Sequence, residues 1–372
     1  MEMDRSQAAD LIEPELSNKP ANRPYYQQTL KSWSPLLTPW RAVGGYLLIG
    51  LIFVPLGAVL WHDTDVVELR YQYDGDGSDG DDCKITTYKE NLDCTITFDV
   101  EEDIPGPAYV YYELTNFYQN HATYVASFDS SQLLGSTSTS DIDDCDPLIY
   151  NGTLVLHPCG LIANTLFNDI FTVSSGQTMD ETDIAWDSDV ADKFVQPDGF
   201  VTTACEDEDG CVACLTDAGL TDSDGGTTFE GCGVTDSTAY YYPDEDTTQY
   251  LYETFPEVIS PLDGVKNEHF IVWMRVSGLS SFRKLYGRID DGLNAGDNLS
   301  FDVSNNFIVD FYDGTKSIIV SNTNDFGGRN LYWGQSLPAI GGVVLALALL
   351  IAIKQLVWPR TMGDISKLLD DA

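Results

Sequence analysis

The chain has 372 residues, with 19 Lys and Arg against 59 Asp and Glu, a net charge of −40 at pH 7. So strong a negative balance repels nucleic acid and anionic lipid surfaces at long range, which excludes nucleic-acid binding. The length exceeds what one ordinary domain needs, and the composition is uneven along it.

Residues 1–24 are polar, carry Pro20 and Pro24, and are expected to be a mobile tail. Tyr26, Leu30, Trp33 and Leu37 then recur at roughly helical spacing beside Lys31, until Pro35 and Pro39 break the pattern. This predicts a short interfacial segment leading into a membrane span. Residues 42–61 (AVGGYLLIGLIFVPLGAVLW) and 337–358 (LPAIGGVVLALALLIAIKQLVW) each give about 20 apolar residues, enough to cross a hydrocarbon core of about 30 Å. Their only charge is Lys354, close enough to the end to snorkel, and Pro55 is tolerable in a membrane helix. Trp40, Trp61, Trp333 and Trp358 bracket the two spans, as indole's preference for the membrane interface requires. The first span begins too far in, and is too long, for a cleavable signal peptide.

Arg5, Lys19, Arg23, Lys31 and Arg41 precede the first span, and Arg360 and Lys367 follow the second, so the positive-inside rule places both termini in the cytosol. The expected organisation is a cytosolic tail at 1–41, a span at 42–61, an ectodomain at 62–336, a span at 337–358 and a cytosolic tail at 359–372. The ectodomain carries 11 Lys and Arg against 51 Asp and Glu, which accounts for the whole net charge. All eight cysteines (Cys83, Cys94, Cys145, Cys159, Cys205, Cys211, Cys214 and Cys232) fall in it, and an even count on the oxidising side reads as disulfides. Two sequons there, at Asn151 and Asn298, are candidate glycan acceptors.

Within the ectodomain, Ile96, Phe98 and Val100 alternate with polar residues, as do Val110, Tyr112 and Leu114, then Leu299, Phe301 and Val303, then Phe307, Val309 and Phe311. Each run predicts a half-buried strand, and Asp, Asn and Gly clusters between them predict loops. The fold class expected is an α+β membrane protein: two transmembrane helices flanking a large antiparallel, sandwich-like β-rich ectodomain with short helices and disulfides. Two loops are unusually acidic, 74–82 and 205–224. The first matches a calcium loop at Asp74 and Asp76, but has Asp79 where the turn needs Gly and Ile85 where a bidentate Glu belongs, so it reads as a solvated loop.

Enzyme signatures are missing: no Gly-x-Ser-x-Gly elbow, no His-Glu-x-x-His, no Walker A loop, and no pair of the four His at metal-ligand spacing. Neither a cofactor nor a metal is called for. Cys211 and Cys214 form a Cys-x-x-Cys, which outside the cytosol and beside Cys205 and Cys232 favours structural disulfides over zinc. In residues 268–289, Phe270, Val272 and Met274 alternate with Ile271, Trp273 and Arg275, predicting a strand apolar on both faces. Ser280 or Ser281 is then expected to cap a short helix burying Phe282, Leu285 and Ile289, with Arg283, Lys284 and Arg288 on its other side. Those bases either pair with the domain's own acids or dock onto acidic loops of a partner.

These features, taken with their neighbours, resemble the accessory (beta) subunits of lipid-flipping type IV P-type ATPases, the ligand-effect-modulator or ALA-interacting-subunit family. Tyr26-Gln27-Gln28, Leu30, Trp33, Pro35 and Thr38 resemble the family's pre-membrane signature, and Gly50, Phe53, Pro55 and Gly57 its first span. The run from Tyr111 through His121 resembles its tyrosine-rich strand. Pro158-Cys159-Gly160, Ala163-Asn164, Phe167-Asn168-Asp169 and Ile184-Ala185-Trp186 with Asp189 resemble its middle motifs. Phe270 to Arg275 and Phe282 to Tyr286 resemble its most distinctive block. Asn305-Asn306, Gly314-Thr315-Lys316 and Gly327-Gly328-Arg329-Asn330 resemble the approach to its second span. The resemblance implies a non-catalytic subunit that assembles with the ATPase, permits its exit from the endoplasmic reticulum and supports transport of aminophospholipid to the cytosolic leaflet. The catalytic aspartate would lie on the ATPase, and the chain's partners would be that subunit and membrane lipids. It also implies the pairs Cys83–Cys94 and Cys145–Cys159, leaving three connectivities for the other four cysteines. The residues expected to meet the partner are Gln27, Gln28, Trp33, Pro35, Trp273, Arg275, Phe282, Arg283, Lys284, Tyr286 and Arg288, with Gly341, Ala348 and Ala352 as small residues on the second span. A free-standing surface receptor or adhesion protein would share the topology, but would not need the pre-membrane and juxtamembrane motifs together.

Overall fold

The structure, a computed structural model, describes residues 22–30, 38–62, 67–79, 83–87, 91–140, 142–207, 210–222, 225–323 and 331–359. The termini, Trp33, Pro35 and the 327–330 motif lie outside the described residues. Among the described residues the α-helices are α1 (Pro39–His62), α2 (Ala122–Ala126), α3 (Ser130–Leu133), α4 (Asp187–Asp192), α5 (Cys211–Asp217), α6 (Leu251–Thr254), α7 (Glu268–Met274) and α8 (Leu331–Val357). The strands are β1 (Glu68–Gly75), β2 (Leu92–Asp99), β3 (Ala108–Leu114), β4 (Tyr150–Asn151), β5 (Leu154–His157), β6 (Ile170–Val173), β7 (Val201–Ala204), β8 (Gly233–Thr235), β9 (Thr238–Tyr241), β10 (Thr248–Tyr250), β11 (Phe282–Ile289), β12 (Asn298–Asn305) and β13 (Thr315–Ser321). They form two compact units, one holding α1 and α8, the other spanning Trp61–Leu331.

In the helical unit, the Thr38 hydroxyl accepts the Arg41 N–H at 3.4 Å and so caps α1. Both helices are long and apolar enough to cross a membrane; α1 passes both ends of the apolar run read from the sequence, and α8 begins before its run, at Leu331, and ends at Val357. They touch through small residues. A Cβ on Gly57 would lie 2.3 Å from Pro338 Cδ, and one on Gly341 would lie 2.8 Å from Val54 Cγ2. Any larger residue at either point forces the helices apart. Ala348 is buried on the same helix, one heptad beyond Gly341, and Ala352 is half-buried. The small residues expected to face a partner therefore include Gly341 packed on the chain's own α1.

In the other unit, β1-β13-β3-β11 form an antiparallel sheet and β2-β12-β6 a second one. Alternation decides which side chains point inward: Ala108, Val110, Tyr112 and Leu114 on β3, and Leu299, Phe301 and Val303 on β12, are all buried. The two faces meet through edge-to-face rings, Tyr73 with Phe171 at 5.9 Å and Tyr71 with Phe98 at 6.1 Å. This is the sandwich expected from the alternating runs. Smaller sheets, β10-β5-β4 and β7-β9-β8, complete the unit, and β10 runs parallel to β5. Every cysteine is paired: Cys83–Cys94, Cys145–Cys159, Cys205–Cys214 and Cys211–Cys232. The last two settle the open connectivity and clasp a small separate core of Leu215, Phe229 and Ala239.

Two expectations fail here for one reason. Asp74 is buried rather than in a solvated loop, and residues 307–311 form a loop and a 3₁₀ turn rather than a strand. Both serve Lys316, whose side chain is completely buried. Its ammonium donates to Asp169 Oδ2 at 2.7 Å, to Asn305 Oδ1 and to the Phe307 carbonyl, with Asp74 Oδ2 at 3.4 Å. Asp169 in turn accepts the Tyr73 hydroxyl and the Asn306 and Phe307 N–H groups, each at 2.6 Å. The backbone at 306–307 is thus taken by a buried ion pair and is withdrawn from any sheet ladder. Burial, then the Asp169 charge beside it, holds the Tyr73 hydroxyl protonated.

Lys316→Met should leave two carboxylates buried without their counter-charge, costing about 3–5 kcal/mol. In thermal unfolding, that corresponds to a Tm lower by roughly 6–20 °C. A shift under about 2 °C would show that the cluster does not hold the two sheets together.

Candidate functional site

The block singled out in the sequence, residues 268–289, folds the opposite way from the expectation. Its first half is the helix α7, not a strand. Asn267 caps it, Oδ1 accepting the Phe270 N–H at 3.2 Å. The Glu268 carboxylate accepts the N–H groups of Asp183, Ile184 and Ala185 at 3.0, 2.7 and 2.9 Å, tying the helix start to the segment before α4. A short run apolar on every side fits a buried helix as well as a buried strand, and the cap decides. Trp273 is fully buried and its Nε1–H donates to the Ile162 carbonyl at 2.8 Å.

The second half is the strand β11, not a helix. Phe282, Lys284 and Tyr286 point inward and Arg283 outward, a period of two that a lysine in the inward set disguises. Lys284 Nζ donates to the carbonyls of Val272, Trp273 and Arg275 at 2.9, 3.1 and 2.5 Å, and so closes the C-terminal end of α7. Burial pushes its pKa down to about 7, with the Arg275 charge adding to the fall. The Tyr286 hydroxyl accepts the Phe171 N–H at 3.1 Å, linking the two sheets.

The remaining bases pair within the chain. Arg283 gives Nε to Glu113 at 3.0 Å and both terminal nitrogens to Glu68 at 2.9 and 3.0 Å. Arg288 lies 2.9 Å from Asp180 and 3.2 Å from Asp290. Trp273, Phe282, Tyr286 and Lys284 are therefore core residues rather than a docking face, and Arg283 and Arg288 are committed to the domain's own acids. In so acidic a domain, a base finds an internal carboxylate before it finds a partner's.

Arg275 differs. It is exposed, its Nε donates to Asp189 Oδ2 at 2.5 Å, and its guanidinium lies 4.6 Å from the centroid of the exposed Trp186 ring. Lys193 reaches the other Asp189 oxygen at 2.7 Å. The Arg275 hydrogen bond holds the Asp189 carboxyl below the usual range, against burial that pushes it up. Asp189 and Arg275, motif residues 86 positions apart in sequence, thus meet at one surface point with Trp186, a motif residue that sequence reading left without a role. Gln27 and Gln28 lie in exposed turns between residues 22 and 28. Asn151 and Asn298 are both exposed.

The two neighbouring bases of β11 should therefore behave differently on substitution. Arg283→Gln, which removes a partly exposed ion pair, should cost about 0–1 kcal/mol. Lys284→Met leaves buried helix carbonyls without donors and should cost about 1–3 kcal/mol or more. Denaturant unfolding of the two variants checks the order, and equal losses would contradict the burial of Lys284.

The profile of the LEM3 (ligand-effect modulator 3) family / CDC50 family matches residues 59–361. ALA-interacting subunit 3 of Arabidopsis thaliana is 32% identical over 363 residues, covering 95% of this chain and 90% of its own length. Cell cycle control protein 50A of Bos taurus is 30% identical over 361 residues, covering 91% and 89%. Phospholipid-transporting ATPase accessory subunit CRF1 of Saccharomyces cerevisiae is 28% identical over 391 residues, covering 95% and 89%. A profile match over most of the chain, with relatives alike from end to end, makes this chain a member of the LEM3/CDC50 family.

Proposed function

We propose that this chain is the non-catalytic accessory subunit of a phospholipid-transporting P-type ATPase. Family membership over a chain that keeps both long apolar helices and the disulfide-braced sandwich carries this reading. The catalytic aspartate and the nucleotide site then belong to the partner, and this chain supplies a rigid folded body and two helices to assemble against it. It crosses the membrane twice, with both termini in the cytosol and the sandwich outside or in the lumen. The basic residues flanking the helices support that orientation, as do cysteines confined to the sandwich unit. Asn151 and Asn298 are exposed and suited to carry glycans. Residence in the secretory pathway, from endoplasmic reticulum to Golgi, endosome or plasma membrane, follows from the same topology.

The reading is tested by purifying the tagged full chain from its native membranes in mild detergent and identifying co-purifying proteins by mass spectrometry. A P-type ATPase in near-stoichiometric amount is expected, with ATP hydrolysis that disappears when that subunit is removed. Recovery of the chain alone, or of hydrolysis from the chain alone, would overturn the proposal.

A further inference from the structure

A groove of about 530 Å³ opens beside Arg275, bordered by α2, α3, α4 and the end of α7. Leu133, Ile162 and Phe194 form its buried floor, while Val125, Phe128 and Leu134 stand 39%, 37% and 53% exposed on its walls. Three exposed apolar side chains gathered around one groove, whose polar rim holds Asp189, Asp192 and Lys193, form an apolar trough of the kind that partner surfaces cover. The groove also ends at a specific polar group. Arg275 spends only Nε on Asp189, and its two terminal nitrogens have no hydrogen-bond partner among the described residues. Stacking on Trp186 fixes the plane of the guanidinium, leaving a preoriented fork of the geometry that a carboxylate fits. Arginine and tryptophan are also the residue types that dominate interface energetics.

Charge narrows the occupant. Arg283, Arg288 and Lys316 already hold acids of this chain, whereas Arg275 keeps a free end beside an apolar trough. An anionic lipid surface is repelled by the excess of 40 negative charges, while a short loop with one carboxylate next to an apolar side chain gains at both ends of the groove. We propose that the groove receives an extracytosolic loop of the catalytic ATPase subunit, which seats an apolar side chain over Leu133, Ile162 and Phe194 and gives a neighbouring carboxylate to Arg275. This deepens the accessory-subunit reading and rests on it.

The test places a photo-reactive benzoylphenylalanine at Leu134 of the full chain and irradiates membranes that contain the complex. The expected adduct joins residue 134 to a loop of the ATPase, identified by mass spectrometry. An adduct with lipid, with a second copy of this chain, or with nothing overturns the proposal. In parallel, Leu134→Glu sets a negative charge in the exposed wall without touching the core, and Arg275→Gln removes the fork. Each should lower ATPase recovery about tenfold relative to wild type after a salt wash. Leu134→Glu should keep the wild-type unfolding transition, which separates lost binding from lost folding. If the wild-type chain recovers an ATPase and Leu134→Glu recovers it equally, the groove is not the docking site. If the wild-type chain recovers none, the accessory-subunit reading fails and the groove proposal falls with it.

Discussion

A lysine without access to water fixes the architecture of this domain. Lys316 sits on the central sheet strand β13, and its charge is met by Asp169 from the segment before β6, Asp74 from β1, and Asn305 from the end of β12. Asn305 also holds the Cys83 carbonyl, which brings the first disulfide into the same cluster. Both sheets and a cross-link therefore share one set of polar contacts. A half-satisfied cluster of this kind would be worse than an apolar core, so the surrounding backbone is shaped to complete it. The abrupt end of β12 and the irregular path through Asn306 and Phe307 are consequences, because their N–H groups are needed by Asp169.

How legible this was in the sequence depended on the range of the interactions. The runs at Ile96–Phe98, Val110–Leu114 and Leu299–Val303 stated their strands outright, because a half-buried strand needs only its own alternation. The two long apolar helices were equally local, whereas the pairing of Cys205, Cys211, Cys214 and Cys232 was not legible. The run at Phe307, Val309 and Phe311 carried the same alternation and is not a strand, since its backbone is claimed by Asp169, 138 residues away from Phe307. No window of sequence contains that fact. The block at 268–289 failed in a related way. An asparagine cap turned an all-apolar run into a helix, and a lysine placed among inward residues hid the period of a strand. A lysine is normally counted as outward, and here its three acceptors are the carbonyls of the preceding helix.

The family's distinctive block, apart from Arg275, and the buried cluster both serve the fold, separately from the surface around Arg275. Phe270, Trp273, Phe282, Lys284, Tyr286, Asp169 and Lys316 are all interior, so the residues that make the chain recognisable mainly make it fold. Net charge reinforces the division. With acids in such excess, Arg70, Arg283 and Arg288 are paired within the domain, and the proposed docking surface is the apolar groove with the open end of Arg275. Trp186 and Asp189 belong to both roles, one stacked on that arginine and the other anchoring it.

Hydrogen exchange of the full chain, free and bound to the proposed ATPase subunit, measures this division directly. If it holds, the β3, β11, β12 and β13 amides exchange slowly and equally in both states, because the core is complete without the partner. Amides of residues 125–134 and 186–194 should gain protection on assembly. A core that exchanges fast until the partner binds, or new protection at residues 282–289 with none around the groove, would contradict it.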